Sequence, residues 1–322
     1  MRLLITGGAG FIGSNFIRYL LQNQPADEII NFDKLTYAGN VDNLKDLETN
    51  HHYSFVKGDI CDSVAIERAI ARAKGVDAIV NFAAETHVDR SIASAASFVQ
   101  TDVYGTHVLL ETVRKFKIAR YVHISTDEVY GSTEGASFTE NSNLQPNSPY
   151  AASKAGGDLL VRAYGRTFGL PVLITRSSNN YGPYQYPEKI IPLFITNLLK
   201  GKKVPLYGDG LNIRDWLQVM DNCAALDLVL RRGEVGGIYN IGGGNERTNL
   251  EITKFIIKEL GQTDAAIEWV KDRPGHDRRY SVACQKIRQL GWQPRVPFEA
   301  GLKQTITWYR ENPAWWQRLV CQ

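Results

Sequence analysis

The chain has 322 residues, and its 37 Lys and Arg against 34 Asp and Glu leave a formal net charge of +3. This length predicts about two domains and is sufficient to bury a sizeable core. The composition, 43% hydrophobic and 22% charged, excludes a disordered chain, and the small, scattered basic excess argues against nucleic acid as a partner.

Short β-branched segments alternate with helical patterns over the first half of the chain. The predicted strands are residues 3–6, 29–33, 54–57, 78–82, 121–125 and 172–176. Apolar residues recur at helical spacing from Ile12 to Leu21, and again along a longer helix at about 98–117. Strands that alternate with helices predict an α/β fold with a doubly wound parallel sheet, covered by helices on both faces.

The sequence pattern changes after residue 177. Asn, Gly, Pro and Tyr are concentrated in 179–187, and a predicted helix at 190–200 leads into the turn signal Tyr207-Gly208-Asp209-Gly210. Further helices are predicted near 249–260 and 298–309. We therefore predict a Rossmann-type domain over residues 1–177 and a smaller mixed α/β domain over 178–322. The boundary is approximate, and the chain can cross between the two.

Membrane, secretory and disulfide signals are missing from this sequence. No stretch approaches the ~18 apolar residues of a membrane span, and the chain begins with a predicted strand rather than a signal peptide. Cys61, Cys223, Cys284 and Cys321 are far apart and form no CxxC pair, which argues against disulfides and a zinc site. We expect a cytoplasmic protein with no membrane partner and no metal.

A glycine-rich loop follows the first predicted strand and opens the first helix. Residues 7–13 satisfy GxGxxG starting at Gly8 and GxxGxxG starting at Gly7. Glycines allow a tight turn and close approach to a pyrophosphate, and the helix N-terminus offers free N–H groups to the anion. Asp33 ends the next strand twenty positions after Gly13, where a carboxylate would bind ribose hydroxyls. These features predict a dinucleotide site.

Acidic residues at the next strand ends bear on which dinucleotide binds. The Asp33 carboxylate would repel a 2′-phosphate, so NAD is favoured over NADP, although the adjacent Lys34 weakens this preference. Asp59 ends the third predicted strand, and two interpretations of it stay open. It could accept a hydrogen bond from the adenine amino group, or it could be a solvated turn residue.

Two later segments carry groups suited to acid–base chemistry. Thr126-Asp127-Glu128 ends a predicted strand, while Tyr150 and Lys154 lie four positions apart on one face of a predicted helix. A nearby ammonium lowers the pKa of a phenol, so we predict that Tyr150 acts as a base near neutral pH. Either motif alone is common on protein surfaces. Their combination with the glycine loop favours a catalytic site.

With these motifs the chain resembles the extended short-chain dehydrogenase/reductases and, among them, the dTDP-glucose 4,6-dehydratases. The resemblance covers nearly the whole chain, through residues 7–13, 33–36, 83–91, 125–131, 150–154, 178–183, 214–216 and 272–279. Its most specific part is Asp127-Glu128, since epimerases of the superfamily typically carry small residues there. Thr86 stands where the family commonly has Ser, and the segment between Gly131 and Pro149 is shorter than in some members.

The resemblance implies a lyase that converts dTDP-glucose to dTDP-4-keto-6-deoxyglucose and water, with tightly held NAD recycled in each turnover. By this resemblance Tyr150 removes the C4 hydroxyl proton while hydride leaves C4, and Thr126 bonds the C4 oxygen. Glu128 then takes the C5 proton, Asp127 protonates the departing C6 hydroxyl, and the hydride returns to C6. One carboxylate must therefore be ionised and its neighbour protonated, which a closed site can achieve.

The resemblance also implies two sets of binding residues. The implied NAD contacts are Gly7, Gly10, Phe11, Ile12, Gly13, Asp33, Lys34, Leu35, Thr36, Asp59, Ile60, Phe82, Ala83, Ala84, Glu85, Thr86, Thr101, Tyr150, Lys154 and Asn180. The implied nucleotide-sugar contacts are Thr86, His87, Thr126, Asn179, Lys189, Ile190, Pro205, Leu206, Tyr207, Arg214, Asn249, Asp272, Arg273, Pro274, Gly275, His276 and Tyr309. Arg214 and Arg273 suit a diphosphate, while surface ion pairs with Asp215 or Asp272 are the alternative.

A homodimer is expected as well, because the helices that follow Phe98 and Pro149 resemble the pair that forms a four-helix interface in this superfamily. The motifs leave two other functions open. The first is another nucleotide-sugar enzyme, either a UDP- or GDP-sugar 4,6-dehydratase or a 4-epimerase, and Asp127-Glu128 argues against the epimerase. The second is a cofactor-sensing regulator without turnover, against which the intact Tyr150 and Lys154 argue.

Overall fold

The structure is a computed structural model that describes residues 1–320, so Cys321 lies outside the described residues. The strands are β1 Arg2–Thr6, β2 Glu28–Asp33, β3 Tyr53–Lys57, β4 Ala78–Asn81, β5 Arg120–Thr126, β6 Val172–Ser177, β7 Asn179–Tyr181, β8 Val204–Tyr207, β9 Ile213–Gln218, β10 Ile238–Ile241, β11 Glu246–Thr248 and β12 Ile267–Val270. The helices are α1 Phe11–Asn23, α2 Ser63–Arg72, α3 Val88–Ala93, α4 Ala96–Phe98, α5 Thr106–Phe116, α6 Pro149–Phe168, α7 Ile190–Leu199, α8 Val219–Arg232, α9 Asn249–Glu259, α10 Gln285–Gln289, α11 Phe298–Glu311 and α12 Pro313–Gln317.

Seven strands form one parallel sheet in the order β10-β6-β5-β4-β1-β2-β3. The strand order reverses between β1 and β4, because β2 and β3 lie on one side of β1 and the later strands lie on the other. Ligands of doubly wound sheets bind at the carboxyl ends of the strands at this switch point. The prediction of a Rossmann-type parallel sheet is confirmed.

Alternating side chains along each strand bury both faces of this sheet. Leu3 and Ile5 of β1 pack on one face with residues of α1 and α8, such as Phe16. Leu4 points to the other face and joins a cluster with residues of α2, α5 and α6, such as Leu109. Continuous burial on both faces is expected for a parallel sheet between two helix layers.

Residues beyond 177 build two smaller sheets and a third apolar core. The strands β11-β9-β7 form one sheet, and β12 pairs with β8 in parallel. Helices α7, α9 and α11 pack together through Ile191, Ile252 and Leu302. One later strand, β10, returns to the large sheet and pairs with β6. The first sheet is therefore completed by chain from beyond the predicted boundary.

The helix predicted at 98–117 is present, but its hydrogen-bonding pattern changes along its length. The helix α4 continues as a π-helix over Val99–Gly105 and then as α5. At the start of α5, the Thr106 hydroxyl donates to the carbonyl oxygen of Asp102 in the π-helix at 2.6 Å.

No helix within residues 1–320 is both long enough and apolar enough to cross a membrane. Cys61, Cys223 and Cys284 are free thiols.

Candidate active site

The glycine loop between β1 and α1 has no room for larger side chains. A Cβ atom on Gly13 would lie 2.4 Å from the Gly7 carbonyl oxygen, and one on Gly7 would lie 2.5 Å from the Ala83 nitrogen. Gly7 also has φ of +68°, a conformation that favours glycine. The cap residue Gly10 forms no side-chain cap on α1, so the first-turn N–H groups are available to an anion. This loop fits the pyrophosphate of a dinucleotide.

Asp33 joins the end of β2 to the glycine loop. Its carboxylate accepts hydrogen bonds from the backbone N–H groups of Ala9 at 2.9 Å and Leu35 at 2.8 Å. Burial nevertheless raises the pKa of Asp33, because burial disfavours the charged form more than these bonds favour it. Lys34 Nζ pairs with Asp59 at 2.7 Å, so the cation that weakened the preference for NAD is engaged by a neighbouring carboxylate.

A cavity of about 240 Å³ lies at the carboxyl ends of β1, β2 and β4. Most of the predicted NAD contacts line it: Gly7, Gly10, Phe11, Ile12, Gly13, Asp33, Lys34, Thr36, Asp59, Ile60, Phe82, Ala83, Ala84, Glu85, Thr86, Thr101, Tyr150 and Lys154. Two predicted contacts do not. Leu35 does not line this cavity, and Asn180 lines the neighbouring one described below.

Tyr150 and Lys154 lie in the first turns of α6, whose N-terminus is capped by the Ser148 hydroxyl on the Ala151 N–H at 3.1 Å. Lys154 is buried, and its ammonium donates to the Ile124 carbonyl oxygen at 2.8 Å. The pKa of Tyr150 is raised, first by burial and then by the carboxylates of Glu128, Asp102 and Asp127. This direction is opposite to the one predicted from the Tyr–Lys spacing, because the spacing reveals neither the burial of the phenol nor the three carboxylates around it.

Asp127 and Glu128 begin a short 3₁₀ segment after β5, and their surroundings differ. Asp127 is 3% exposed, and burial followed by the charge of Glu128 raises its pKa well above the usual value. Burial also raises the pKa of Glu128, but the cations of Lys189, Arg214 and Arg273 oppose that shift. When the two carboxyl groups share one proton, these surroundings therefore favour Asp127 over Glu128 as the protonated one.

A second cavity, of about 320 Å³, adjoins the first and shares Thr86 and Tyr150 with it. The predicted nucleotide-sugar contacts that line it are Thr86, His87, Thr126, Asn179, Lys189, Ile190, Pro205, Leu206, Tyr207, Arg214, Asn249, Arg273 and His276. Asp127 and Glu128 line it as well. Tyr150 and the Asp127-Glu128 pair thus line the same second cavity, which adjoins the dinucleotide cavity.

The two arginines do not form the surface ion pairs that sequence left open. Arg214 is buried and donates to the backbone carbonyl of Asp277 at 2.9 Å. The Arg273 guanidinium pairs with Asp89 rather than with Asp272, and its Nη1 lies 3.4 Å from Asp89 Oδ1. Both guanidinium groups are therefore held where they line the second cavity.

Four predicted sugar contacts lie outside this cavity. Asp272, Pro274 and Gly275 do not line it, and the Asp272 carboxylate instead contacts His276 Nδ1 at 2.6 Å. Tyr309 does not line it either, because its side chain is fully buried among those of the third apolar core. Its hydroxyl donates to the Gln185 carbonyl oxygen, so it supports a lining residue from behind.

Sequence reasoning missed several lining residues. Tyr280 lines the second cavity, and its hydroxyl lies 2.7 Å from Asp277 and 3.5 Å from Glu128. Gln185 and Glu188 line both cavities. Glu188 could have been suspected as the neighbour of Lys189, whereas no sequence signal marked Tyr280 or Gln185.

Comparisons with known proteins agree with this geometry. Residues 4–305 match the family model described as GDP-mannose 4,6 dehydratase. A dTDP-glucose 4,6-dehydratase of Streptomyces niveus is 54% identical, over 99% of this chain and 96% of that protein. The crystal structure of a dTDP-glucose 4,6-dehydratase from Streptomyces venezuelae with NAD bound is 55% identical, with a TM-score of 0.96 over 99% of this chain and 100% of that one.

A more distant structure marks the limits of the likeness. The UDP-glucose 4-epimerase of Thermus thermophilus, also solved with NAD, is 31% identical, with a TM-score of 0.88 over 97% of this chain and 100% of that one. The epimerase shares the fold at markedly lower identity than the dehydratases. The chain belongs to the dTDP-glucose 4,6-dehydratase family of the extended short-chain dehydrogenase/reductases.

Proposed function

We propose that this protein converts dTDP-glucose to dTDP-4-keto-6-deoxyglucose and water, using one tightly held NAD. The observation that carries the proposal is the unequal acidic pair Asp127-Glu128, which faces the same cavity as Tyr150. When bound, NAD takes a hydride from C4 and returns it to C6, and its positively charged ring favours an ionised phenol nearby.

Oxidation at C4 requires a base for the hydroxyl proton. Tyr150 is the proposed base, and Thr126, whose hydroxyl opposes the rise in the pKa of Tyr150, is the proposed partner of the C4 oxygen. Lys154 adds a buried positive charge one helical turn away, held in place by the Ile124 carbonyl. Because burial and the nearby carboxylates favour the neutral phenol, the ionised form of Tyr150 is a strong acceptor for the C4 hydroxyl proton.

Elimination across C5 and C6 requires a second base and an acid. Glu128, where three nearby cations oppose the rise in pKa that burial causes, is suited to take the proton that the 4-ketone acidifies at C5. Asp127 is suited to give its proton to the C6 hydroxyl, so that the C–O bond breaks and water leaves. When hydride returns to C6, Glu128 gives a proton back to C5, and the proton gained by Tyr150 balances the one lost by Asp127.

The second cavity is proposed to bind the nucleotide diphosphate. Arg214 and Arg273 provide planar, charged donors that match phosphate oxygens, and Lys189 provides a third cation. Pro205, Leu206 and Tyr207 of β8 form the wall against which a nucleobase would lie.

We also propose that the chain divides into two domains near residue 178, with β10 assigned to the first domain.

A cytoplasmic homodimer is the proposed assembly. Val99, Tyr104 and Leu159 are apolar and between 47% and 54% exposed, and they lie on the π-helix and on α6. These two elements pack against each other, since Gly156 of α6 would bring a Cβ atom 3.0 Å from Val103. An exposed apolar surface on adjoining helices is what a two-fold interface would cover.

The decisive experiment offers the purified protein dTDP-glucose, UDP-glucose and GDP-mannose separately. We expect a 4-keto-6-deoxy product from dTDP-glucose, detected by mass spectrometry with the loss of one water. Deuterium placed at C4 should appear in the C6 methyl group, since the hydride stays on the enzyme. A product that has lost no water, such as a C4 epimer, would favour the 4-epimerase. Preferential turnover of a UDP- or GDP-sugar would correct the nucleobase, and binding without turnover would favour the regulator.

A further inference from the structure

Tyr37, which lies outside the predicted site, contacts residues of other segments that line the dinucleotide cavity. Thr36, Ala38 and Gly39, in the loop after β2, line one wall, whereas Tyr37 between them does not line the cavity. Instead its hydroxyl lies 2.5 Å from the Thr86 carbonyl oxygen and 2.9 Å from Glu188 Oε1. Tyr37 therefore reaches from its own loop to two other segments, each of which lines the cavity.

The Tyr37 ring is held on two further sides. The Arg90 guanidinium carbon lies 3.6 Å from the ring centroid, within the range of a cation–π contact. The Tyr186 ring meets it edge-on, with the centroids 5.5 Å apart. Arg90 also pairs with Glu188 at 3.4 Å, so Tyr37, Arg90 and Glu188 each contact the other two.

These contacts join segments that are far apart in sequence. Tyr37 belongs to the loop after β2, Thr86 and Arg90 follow β4, and Glu188 precedes α7. Thr86 and Glu188 both line the dinucleotide cavity, as do Thr36 and Ala38 on either side of Tyr37, so these contacts tie lining segments to one another. The Glu188 side chain is only 11% exposed, which strengthens its interactions with the phenol and the guanidinium.

We propose that the Tyr37 bridge, formed by Tyr37, Thr86, Arg90 and Glu188, retains NAD in its cavity, so that the reduced cofactor stays on the protein between hydride removal and hydride return. This role rests on the proposed function, because only a reaction that returns its own hydride needs a retained cofactor. On this proposal, NAD leaves when the lining segments separate, which requires the contacts of the Tyr37 hydroxyl to open. The bridge acts on cofactor release and not on the chemical steps.

The test is the rate at which NAD leaves the holoenzyme when no sugar is present. Tyr37→Phe keeps the ring against Arg90 and Tyr186 and removes only the hydroxyl. We expect bound NAD to exchange with isotope-labelled NAD about tenfold to a hundredfold faster, because the Tyr37 hydroxyl no longer donates its proton to the Thr86 carbonyl or to the Glu188 carboxyl group. The variant should also emerge from gel filtration with less NAD than the wild type.

Tyr53→Phe is the matched control. Tyr53 is also partly buried, and its hydroxyl accepts a hydrogen bond from Asn31 at 3.0 Å, but it lines neither cavity. This variant should keep the wild-type rate of NAD exchange. Arg90→Gln is the second test, because it removes the cation from the ring and the ion pair with Glu188 while altering a side chain that is half exposed. Its NAD exchange should also be faster.

The outcomes separate this inference from the proposed function. Unchanged NAD exchange in both Tyr37→Phe and Arg90→Gln would overturn the bridge even if dTDP-glucose is turned over normally. Faster exchange in a protein that does not act on dTDP-glucose would leave the bridge intact and refute the proposed function. During turnover, Tyr37→Phe should release free NADH and lose part of the C4 deuterium from the product, whereas the wild type should do neither.

Discussion

Two adjacent carboxylates differ because each faces different neighbours. Asp127 is buried, and Oδ2 of its carboxylate has no hydrogen-bond partner among residues 1–320. Glu128 faces Lys189, Arg214 and Arg273, which come from three separate segments of the chain. The proposed division into acid and base thus depends on the surrounding side chains, and it leads to two predictions about individual steps.

Replacing Tyr150 by Phe should leave NAD binding intact and nearly abolish turnover. The ring would still pack against Phe98, whose centroid is 6.3 Å away, but the proton acceptor for the C4 hydroxyl would be gone. Loss of a positioned base costs about 10²–10⁴ in rate. Product formation and NAD content should be measured on the same sample. Activity within a few fold of wild type would mean that another group is the base.

Replacing Asp127 by Asn should separate oxidation from elimination. The amide has nearly the same shape but cannot protonate the departing C6 oxygen, while Tyr150 and the dinucleotide cavity are unchanged. On mixing with dTDP-glucose, the variant should show a rise in the absorbance of reduced nicotinamide, followed by slow release of water. If the variant binds substrate but fails to reduce NAD, as Tyr150→Phe should, then Asp127 is not the acid for this step.

Asp102, on the π-helix, is hydrogen-bonded to α6, the helix that carries Tyr150 and Lys154. Its carboxylate accepts hydrogen bonds from the Ser153 hydroxyl at 2.6 Å and the Glu85 backbone N–H at 3.0 Å. Burial raises its pKa from 3.8 to about 6, although Lys154 and these hydrogen bonds oppose the shift. The folded state therefore holds a proton that the unfolded chain releases at lower pH.

This shift predicts a pH-dependent stability. The contribution of Asp102 to the free energy of unfolding is fully present below pH 3.8 and is lost as pH rises through about 6. Asp102→Asn cannot ionise, so its stability relative to wild type should increase by roughly 2–3 kcal/mol between these limits. Urea unfolding at several pH values measures the difference. A constant difference across this range would show that Asp102 does not titrate as stated.

At the scale of elements, the close approach of loop and helix defines the dinucleotide cavity. The glycine loop, the N-terminus of α1 and the segment after β4 meet so closely that backbone atoms occupy the space of a side chain. The π-helix does the same on the far side of the site, because a Cβ atom on Gly157 of α6 would lie 2.9 Å from the Asp102 carbonyl oxygen. Extra volume at either place must displace an element.

Gly13→Ala should weaken NAD binding without unfolding the protein. The added methyl group would lie 2.4 Å from the Gly7 carbonyl oxygen, so the loop must shift away from the pyrophosphate position. We expect about a fivefold to hundredfold loss of NAD affinity, since such overpacking costs about 1–3 kcal/mol. Titration of NAD-free protein measures it. Gly135→Ala is the control, because no atom lies within 4 Å of its added Cβ, and equal effects of both variants would contradict this explanation.

At the scale of the whole molecule, a dimer would cover the apolar surface on the π-helix and α6. Leu159 is 53% exposed in the middle of α6, where a charge would oppose burial against a second copy. Leu159→Glu should therefore shift the protein from dimer to monomer in sedimentation experiments at micromolar concentration. Val64→Glu, at a residue 52% exposed on α2, should remain dimeric. A wild type that sediments only as a monomer would count against the interface.

The sequence by itself determined the features that depend on neighbouring residues. The β1–loop–α1 motif, the Asp33 position, the Tyr150–Lys154 spacing and the Asp127-Glu128 pair were all predicted, and the structure places them around two adjoining cavities. Such signals are readable because backbone geometry and helical spacing are local. The six predicted strands of the first half follow the same logic, and their parallel order follows from the alternation with helices.

Only the tertiary structure decided what depends on burial and on contacts between distant segments. It moved Tyr309 into the core, added Tyr280 and Gln185 to the second cavity, and raised the pKa of Tyr150 instead of lowering it. It also brought Tyr37 within reach of Glu188, a residue 151 positions later in the chain. Distances and solvent access of this kind arise only when separate elements pack, because a local pattern carries no information about which distant side chain will face it.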